Sequence, residues 1–412
     1  MPIWPSAPSP ILDRARQLHR EETGVESTQV ADCPGTWLVM GEHVDYAGGI
    51  TLVAQVSQRV AVAFSPRRDD LIKVTTQSTT LEGTGTTTEE ISLGAIEERA
   101  TNQRLVDHQC GLVAERLGGI VWTMIHRQLL SRDTSGMDVT VVNDIPADAG
   151  LGAIASTEAA FALALLGSAE DCDEAPLRAR LAEVCAQAAE AFSPAPALRS
   201  RYTAALRGTA GQVAVINYAD GSVTQAPHPA SAGMRVFAVI GPEADVDQTS
   251  AIQGRRRFLD AACRAFGTES LRLLPDAPTR VLDWLRAVHK VHGAEGQPTL
   301  DQAASWLTFD QEETGRAEQL SRSLRSRRVE DLWSLMAESQ AGLESYGLNA
   351  QPDLVKLILV RGAAGARAAV AGMSAAVIAG VDKRHAGNFS ADLSADGFTL
   401  VDLGIGSPAQ VG

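Results

Sequence analysis

Cys33-Pro34-Gly35-Thr36-Trp37-Leu38-Val39-Met40-Gly41-Glu42-His43-Val44-Asp45-Tyr46-Ala47-Gly48-Gly49 is the stretch around which the chain is organised. Glycine turns enclose a short apolar strand, Trp37 to Met40. Glu42, His43 and Asp45 follow within one short turn. Carboxylates and an imidazole at a strand end suit a polyol such as a sugar, whose hydroxyls need both donors and acceptors. Gly48 and Gly49 would let the backbone come close to such a ligand. The same residues also suit a plain solvated turn between strands.

The 412 residues allow two domains with sizeable cores. Hydrophobic residues make up 45% and charged residues 21%, the balance of a globular protein. A net charge of −14 and a pI near 5.1 disfavour nucleic acid and anionic membrane as partners. They leave room for a nucleotide, which needs only local N–H groups and one or two basic side chains. The five cysteines, Cys33, Cys110, Cys172, Cys185 and Cys263, are scattered and show no metal spacing. They read as reduced thiols of a cytoplasmic protein. The start, Met1 to Pro8, lacks the basic and apolar regions of a signal peptide. The longest apolar run, Ala368 to Val381, falls short of the ~20 residues that a spanning helix needs.

Along the chain, Ile11 to Glu22 has helical spacing, with Ile11, Ala15 and Leu18 on one face. Thr51 to Phe64 reads as two strands, and Ile72 to Thr76 as another. Thr75 to Glu90, rich in Thr, Gly and Glu, reads as an edge hairpin or exposed loop. Leu112 to Leu130 is helical in spacing despite Gly118-Gly119. Gly136 to Asn143 is a strand, followed by a glycine loop and a helix through Leu166. Leu177 to Ala191 is an alanine-rich helix, and Gln212 to Tyr218 a strand. Ala226 to Gly233 is the linker candidate. It divides the chain into expected domains 1–228 and 229–412. Arg235 to Ile240 and Gly397 to Leu403 are strands of the second domain.

The opening stretch closely resembles the sugar signature of galactokinases, P-G-R-V-N-L-I-G-E-H-T-D-Y-N-G-G. Pro34, Gly35, Gly41, Glu42, His43, Asp45, Tyr46, Gly48 and Gly49 match it. Weaker matches continue in order to Gly365-Ala366-Arg367. The resemblance implies an α+β, two-domain galactokinase-like fold of the GHMP kinase superfamily, with a ligand cleft between the domains. It implies a first domain carrying the sugar signature and phosphate loop. It also implies a substrate site at Glu42, His43, Asp45, Tyr46, Gly48 and Gly49.

Departures cluster at the family's functional positions. The family Arg after Pro-Gly is Thr36. The phosphate loop P-x-G-x-G-L-S-S-S-A keeps Pro146, Gly150 and Leu151, but its first glycine is Asp148 and its serines are Gly152, Ala153 and Ile154. Such a loop cradles phosphates with backbone N–H groups at a helix start, and its hydroxyls help to hold magnesium. Asp148, Gly150, Leu151, Gly152, Ala153 and Ser156 are the nucleotide-loop positions. Glu158 matches the family glutamate that completes the metal site, and equally suits an ordinary first-turn glutamate. The family's base aspartate, aligned on Ser193-Pro194, falls on Arg199. The last motif, G-G-G-F-G-G-C, has become Val370 to Ala376, in which only Gly372 survives.

No catalytic residue is therefore assigned, since Thr36 and Arg199 occupy the family's catalytic positions. The resemblance implies a degenerate homologue, or pseudokinase, with impaired ATP-dependent phosphoryl transfer and part of a sugar site retained. An active galactokinase or related sugar kinase, using ATP and Mg to make a sugar 1-phosphate, is the first alternative. A regulatory or structural partner with an empty cleft is the second. The ligand expected is a sugar or sugar phosphate, and no protein partner is indicated. Arg199 is expected to pair with Glu42 or Asp45, and ATP binding to be weak.

Overall fold

In a computed structural model, the structure describes residues 4–5, 9–101, 112–193, 195–241 and 247–412. Cys110, Pro194 and most of the first eight residues lie outside the described set. The chain is a mixed α+β protein that divides into two compact units. One comprises 38–54 and 212–402; the other comprises 2–37, 55–211 and 403–412. The division therefore differs from a single cut at 228. The chain passes between units inside its first two strands, after Trp37 and after Ala54, so the signature stretch itself is shared out.

In chain order the elements are α1 (Ile11–Thr23), β1 (Gln29–Met40), β2 (Ile50–Pro66), β3 (Leu71–Thr80), β4 (Gly83–Ser92), α2 (Leu93–Thr101) and α3 (Val113–His126). β5 (Met137–Asn143), α4 (Ala153–Leu165), α5 (Ala175–Phe192), α6 (Arg199–Arg207), β6 (Gln212–Asn217) and β7 (Ser222–Pro227) follow. Next come β8 (Met234–Ile240), α7 (Thr249–Phe266), α8 (Ala277–His292), α9 (Leu300–Arg325), α10 (Asp331–Ser345) and α11 (Pro352–Val360). β9 (Gly365–Ala368), β10 (Val377–Asp382), α12 (Ala386–Ala395), β11 (Thr399–Asp402) and β12 (Gln410–Val411) complete the chain.

The unit holding α1 to α6 is built on strands in the order β12-β1-β2-β5-β3-β4. β2 meets β5 antiparallel with Val62 opposite Val141, and β3 runs parallel to β5 with Val74 opposite Val139. α1 closes one face with Ile11, Ala15 and Leu18 against Val30, Ala61 and Val142. Gly24, at φ 71, stops this helix, its N–H donating to Arg20 O. β2 is one strand where the sequence suggested two. Its polar residues Gln58 and Arg59 interrupt the apolar pattern without interrupting the strand. α4 is buried from Ser156 to Ala164, which explains its nearly all-apolar sequence.

The other unit carries an antiparallel sheet in the order β11-β8-β10-β9, with Ala238 opposite Ile378. Phe237, Val239, Ile358, Val377, Phe389 and Leu393 form the core between this sheet and α11 and α12. A second core gathers Phe258, Leu259, Val281, Leu285 and Leu307 from α7, α8 and α9. The first residues of β2 pair here with β6, Leu52 opposite Val215. Among the described residues, no helix is long and apolar enough to cross a membrane.

Candidate functional site

β1 ends at Gly41, whose φ of 89 lies where an L residue is strained, and a Cβ there would strike the Ile50 carbonyl. This turn drops Glu42, His43 and Asp45 into the interior, at 0%, 2% and 1% exposure. Gly48, at φ 82, leaves no room for a Cβ beside Ser270. Tyr46 is half-buried, with Asp45 Oδ1 accepting from its N–H at 3.1 Å.

The Glu42 carboxylate is engaged within its own unit. Oε1 accepts from Ala371 N–H, and Oε2 lies 3.2 Å from Arg367 Nη2. Arg367, on β9 and 1% exposed, also donates to Leu38 O at 2.9 Å and to Ser339 Oγ at 3.0 Å. Glu313 on α9 accepts from Gly41 N–H at 3.0 Å, Glu42 N–H at 3.2 Å and Ser339 Oγ at 2.9 Å. Two buried carboxylates thus share one buried guanidinium, and the signature turn hangs from Glu313. His43 Nε2 donates to Ala371 O at 2.9 Å. Nδ1 is buried and has no hydrogen-bond partner among the described residues.

In the other unit, the loop between β5 and α4 keeps three left-handed positions: Asp148 at φ 59, Gly150 at φ 67 and Gly152 at φ 74. Asp148 is exposed, and aspartate tolerates this conformation better than most L residues. Leu151 O accepts from Thr36 N–H at 2.9 Å, tying the loop to β1. Ser156 spends its hydroxyl on Pro34 O at 2.8 Å and Gly152 O at 3.0 Å. The first turn of α4 offers solvent Ala153, Ile154 and Ala155, none with a polar side chain, and Ile154 is 53% exposed.

Arg201, on α6 and 5% exposed, lies along this loop. It donates to Thr36 O at 2.7 Å, Thr36 Oγ1 at 3.1 Å and Gly150 O at 2.5 Å. The expected pairing of Arg199 is corrected accordingly. Arg199 bonds Glu183 at 3.0 Å with its side chain 35% exposed, while Glu42 is held by Arg367. The residue reaching Thr36 is two positions further on. Two residues rotate about 200° around a helix, so Arg199 and Arg201 point in opposite directions. Counting from Ser193-Pro194 missed this because it took no account of where α6 begins.

Glu158, 1% exposed, has both carboxylate oxygens engaged within the chain. Arg116 Nε and Nη2 each lie 2.7 Å from Oε1, and the Tyr202 hydroxyl donates to Oε2. Arg116 also donates to Ser193 Oγ. Burial pushes the Glu158 carboxyl up from its ordinary range, against the pull of Arg116. Burial, with Glu158 alongside, also pushes the Tyr202 hydroxyl up. Among the described residues, no group of three His, Cys, Asp or Glu is placed to hold a metal. The loop's serine is spent on carbonyls and its glutamate on Arg116. These residues do not fit a magnesium-bound triphosphate.

The fold and this polar signature define a class. A galactokinase from Lactococcus lactis, solved with galactose, superimposes with a TM-score of 0.71 at 17% identity, covering 97% of this chain and 100% of that one. Methanococcus jannaschii mevalonate kinase does so at 0.58 and 12%, covering 90% and 96%. The fold is that of the GHMP kinases. Residues 17–66 match the galactokinase galactose-binding signature. Human galactokinase is 26% identical over 271 residues, 64% of this chain, and the match spans 62% of the human protein's length. The chain has the GHMP kinase fold and is similar to galactokinases in its signature stretch and over 64% of its length.

Proposed function

We propose that this chain is a galactokinase-family pseudokinase, which holds a galactose-type sugar at its signature without effective transfer of phosphate from ATP. The observation that carries the reading is Arg201. A buried, permanently charged guanidinium, bonded to Thr36 and Gly150, replaces the acid–Arg pair with which the family serves transfer. A guanidinium cannot act as a general base, and losing a positioned base costs about 10²–10⁴ in rate. Lost stabilisation at the transfer point costs about 10²–10³ more. The metal site is spent as well, since Glu158 is neutralised by Arg116. Retained sugar binding is supported by a buried orphan of the signature, His43 Nδ1, which a sugar hydroxyl would satisfy.

Two measurements test this. Titration calorimetry with galactose and its epimers is expected to show binding of one or more. ATP turnover with the same sugars and magnesium is expected to stay at background. A turnover near the enzyme median of about 10 s⁻¹ would overturn the pseudokinase reading. Absence of heat with every hexose would overturn the sugar reading. The double change Thr36→Arg with Arg201→Asp restores the family's pair and is expected to recover part of the transfer step.

A further inference from the structure

Gly41 and His43 both take left-handed backbone, at φ 89 and φ 58, so the chain turns sharply as β1 ends. Such a turn aims successive N–H groups the same way and makes a concavity for an anion. Here the N–H groups of Gly41 and Glu42 converge on one oxygen, Glu313 Oε1, at 3.0 Å and 3.2 Å. Both residues are buried, and a buried donor left unpaired is costly. The anion that fills this concavity is therefore part of the chain.

Glu313 is itself fixed from three elements. It stands within the 26-residue helix α9 and is 0% exposed. Ser339 of α10 donates to Oε1 at 2.9 Å, Arg316 Nη1 lies 3.1 Å from Oε2, and Arg367 of β9 lies 3.5 Å from Oε1. Its neighbour Glu312 is exposed and meets Arg316 at 2.8 Å, away from the turn. The consequences of Glu313 reach the side chains that would meet a sugar. Glu42 is held at both ends, its N–H by Glu313 and its carboxylate by Ala371 N–H and Arg367. His43 follows at once, and the same turn places its ring, with Nε2 on Ala371 O. Binding groups of this kind work only when held within about 0.5 Å of the productive geometry.

We propose that Glu313 is a positioning residue of the signature: by holding two N–H groups it sets where Glu42 and His43 stand, and with them the affinity for the sugar. This role presupposes the sugar site proposed above. Two substitutions separate reach from charge. Glu313→Gln keeps an oxygen at the same distance and loses the charge. Glu313→Asp keeps the charge and falls one carbon–carbon bond, about 1.5 Å, short of both N–H groups. Galactose is titrated calorimetrically into the full chain and each variant, with circular dichroism to show folding and Glu312→Gln as the control. Glu313→Gln is expected to stay within about threefold of the unsubstituted chain, and Glu313→Asp to lose roughly tenfold to a hundredfold, the worth of a hydrogen bond to a charged group. Glu312→Gln is expected to change nothing. A residue that served stability alone would lower the melting temperature in both variants and leave both affinities unchanged, which would overturn the proposal. So would the reverse order, with the Asp variant binding and the Gln variant not, since charge rather than reach would then matter. Amide hydrogen exchange of the unsubstituted chain needs no variant. Slow exchange at Gly41 and Glu42 is expected, and fast exchange at both would overturn the role even if neither variant folds. Galactose heat with equal affinities throughout would remove this role and leave the sugar site standing; no heat from any hexose with the unsubstituted chain would remove both.

Discussion

Replacing Glu158 by Gln separates a structural anion from a metal ligand. The carboxylate is 1% exposed and Arg116 9% exposed, with two nitrogens of the guanidinium 2.7 Å from Oε1. Glutamine keeps the shape and can still meet the Tyr202 hydroxyl, but it removes the negative charge. Arg116 is then left with Ser193 Oγ and no anion. At an effective dielectric of about 20 and a separation near 4 Å, the lost attraction is about 4 kcal/mol. Breaking a buried pair by removing one partner costs about 3–5 kcal/mol, in agreement. Equilibrium urea denaturation at neutral pH, followed by circular dichroism, should show this loss as a lower midpoint with an unchanged slope. The companion Arg116→Met, Glu158→Leu replaces both charges by apolar groups and should recover most of it. A loss below about 0.5 kcal/mol, the range of ordinary surface changes, would refute the reasoning. A Glu158→Gln variant of normal stability with altered magnesium binding would instead return Glu158 to a metal site.

Arg201→Ala should cost about 2–4 kcal/mol by the same assay, because it removes three charged hydrogen bonds at a 5%-exposed site. Arg199→Ala should change stability by no more than about 1 kcal/mol, since its pair with Glu183 is partly exposed; equal costs would restore the alignment on Ser193-Pro194. Arg367→Met leaves Glu42 buried without its cation, while Glu313 keeps Arg316 at 3.1 Å, and should lose about 3–5 kcal/mol or fail to fold. Burial raises the Asp310 carboxyl to about 7 from 3.8, so the folded chain keeps a proton that the unfolded chain gives up. Stability should therefore fall as pH rises from about 4 to about 7, by up to ~4 kcal/mol, and Asp310→Asn should flatten that part of the thermal-shift profile.

What the sequence made legible follows from local stereochemistry. Gly41 and Gly48 could be assigned to turns because both take positive φ, a property of the local chain that admits glycine at little cost. α1 was readable because Ile11, Ala15 and Leu18 fall at helical spacing against one core. The glycines of α3 are tolerated because Gly118 packs on Ile96 and Gly119 on Phe192, so lost helix propensity is exchanged for close packing. The ionic contacts were not readable. Arg367 meets Glu42, Glu313 and Ser339, and Arg116 meets Glu158 and Ser193, all from distant segments. A buried arginine and an exposed one look alike in sequence, as Arg201 and Arg199 show. The helix phase that separates them depends on where α6 begins.

The same contacts explain why the change at Thr36 and Arg201 resists reversal in single steps. Arginine at position 36 alone would bring a second guanidinium to the backbone position that Arg201 already bonds, with no carboxylate between Glu190 and Asp220 in that segment to compensate. Aspartate at position 201 alone would place a buried anion among Thr36 O and Gly150 O, both hydrogen-bond acceptors. Either intermediate buries an unpaired charge, which costs far more than an exposed one. Only the joint change exchanges a cation held by carbonyls for an acid–Arg pair. The threonine hydroxyl and the arginine thus act as one unit, and the loop carbonyl of Gly150 is their third member. The loop keeps its left-handed turns at Asp148, Gly150 and Gly152, and Arg201 fastens it through the Gly150 carbonyl.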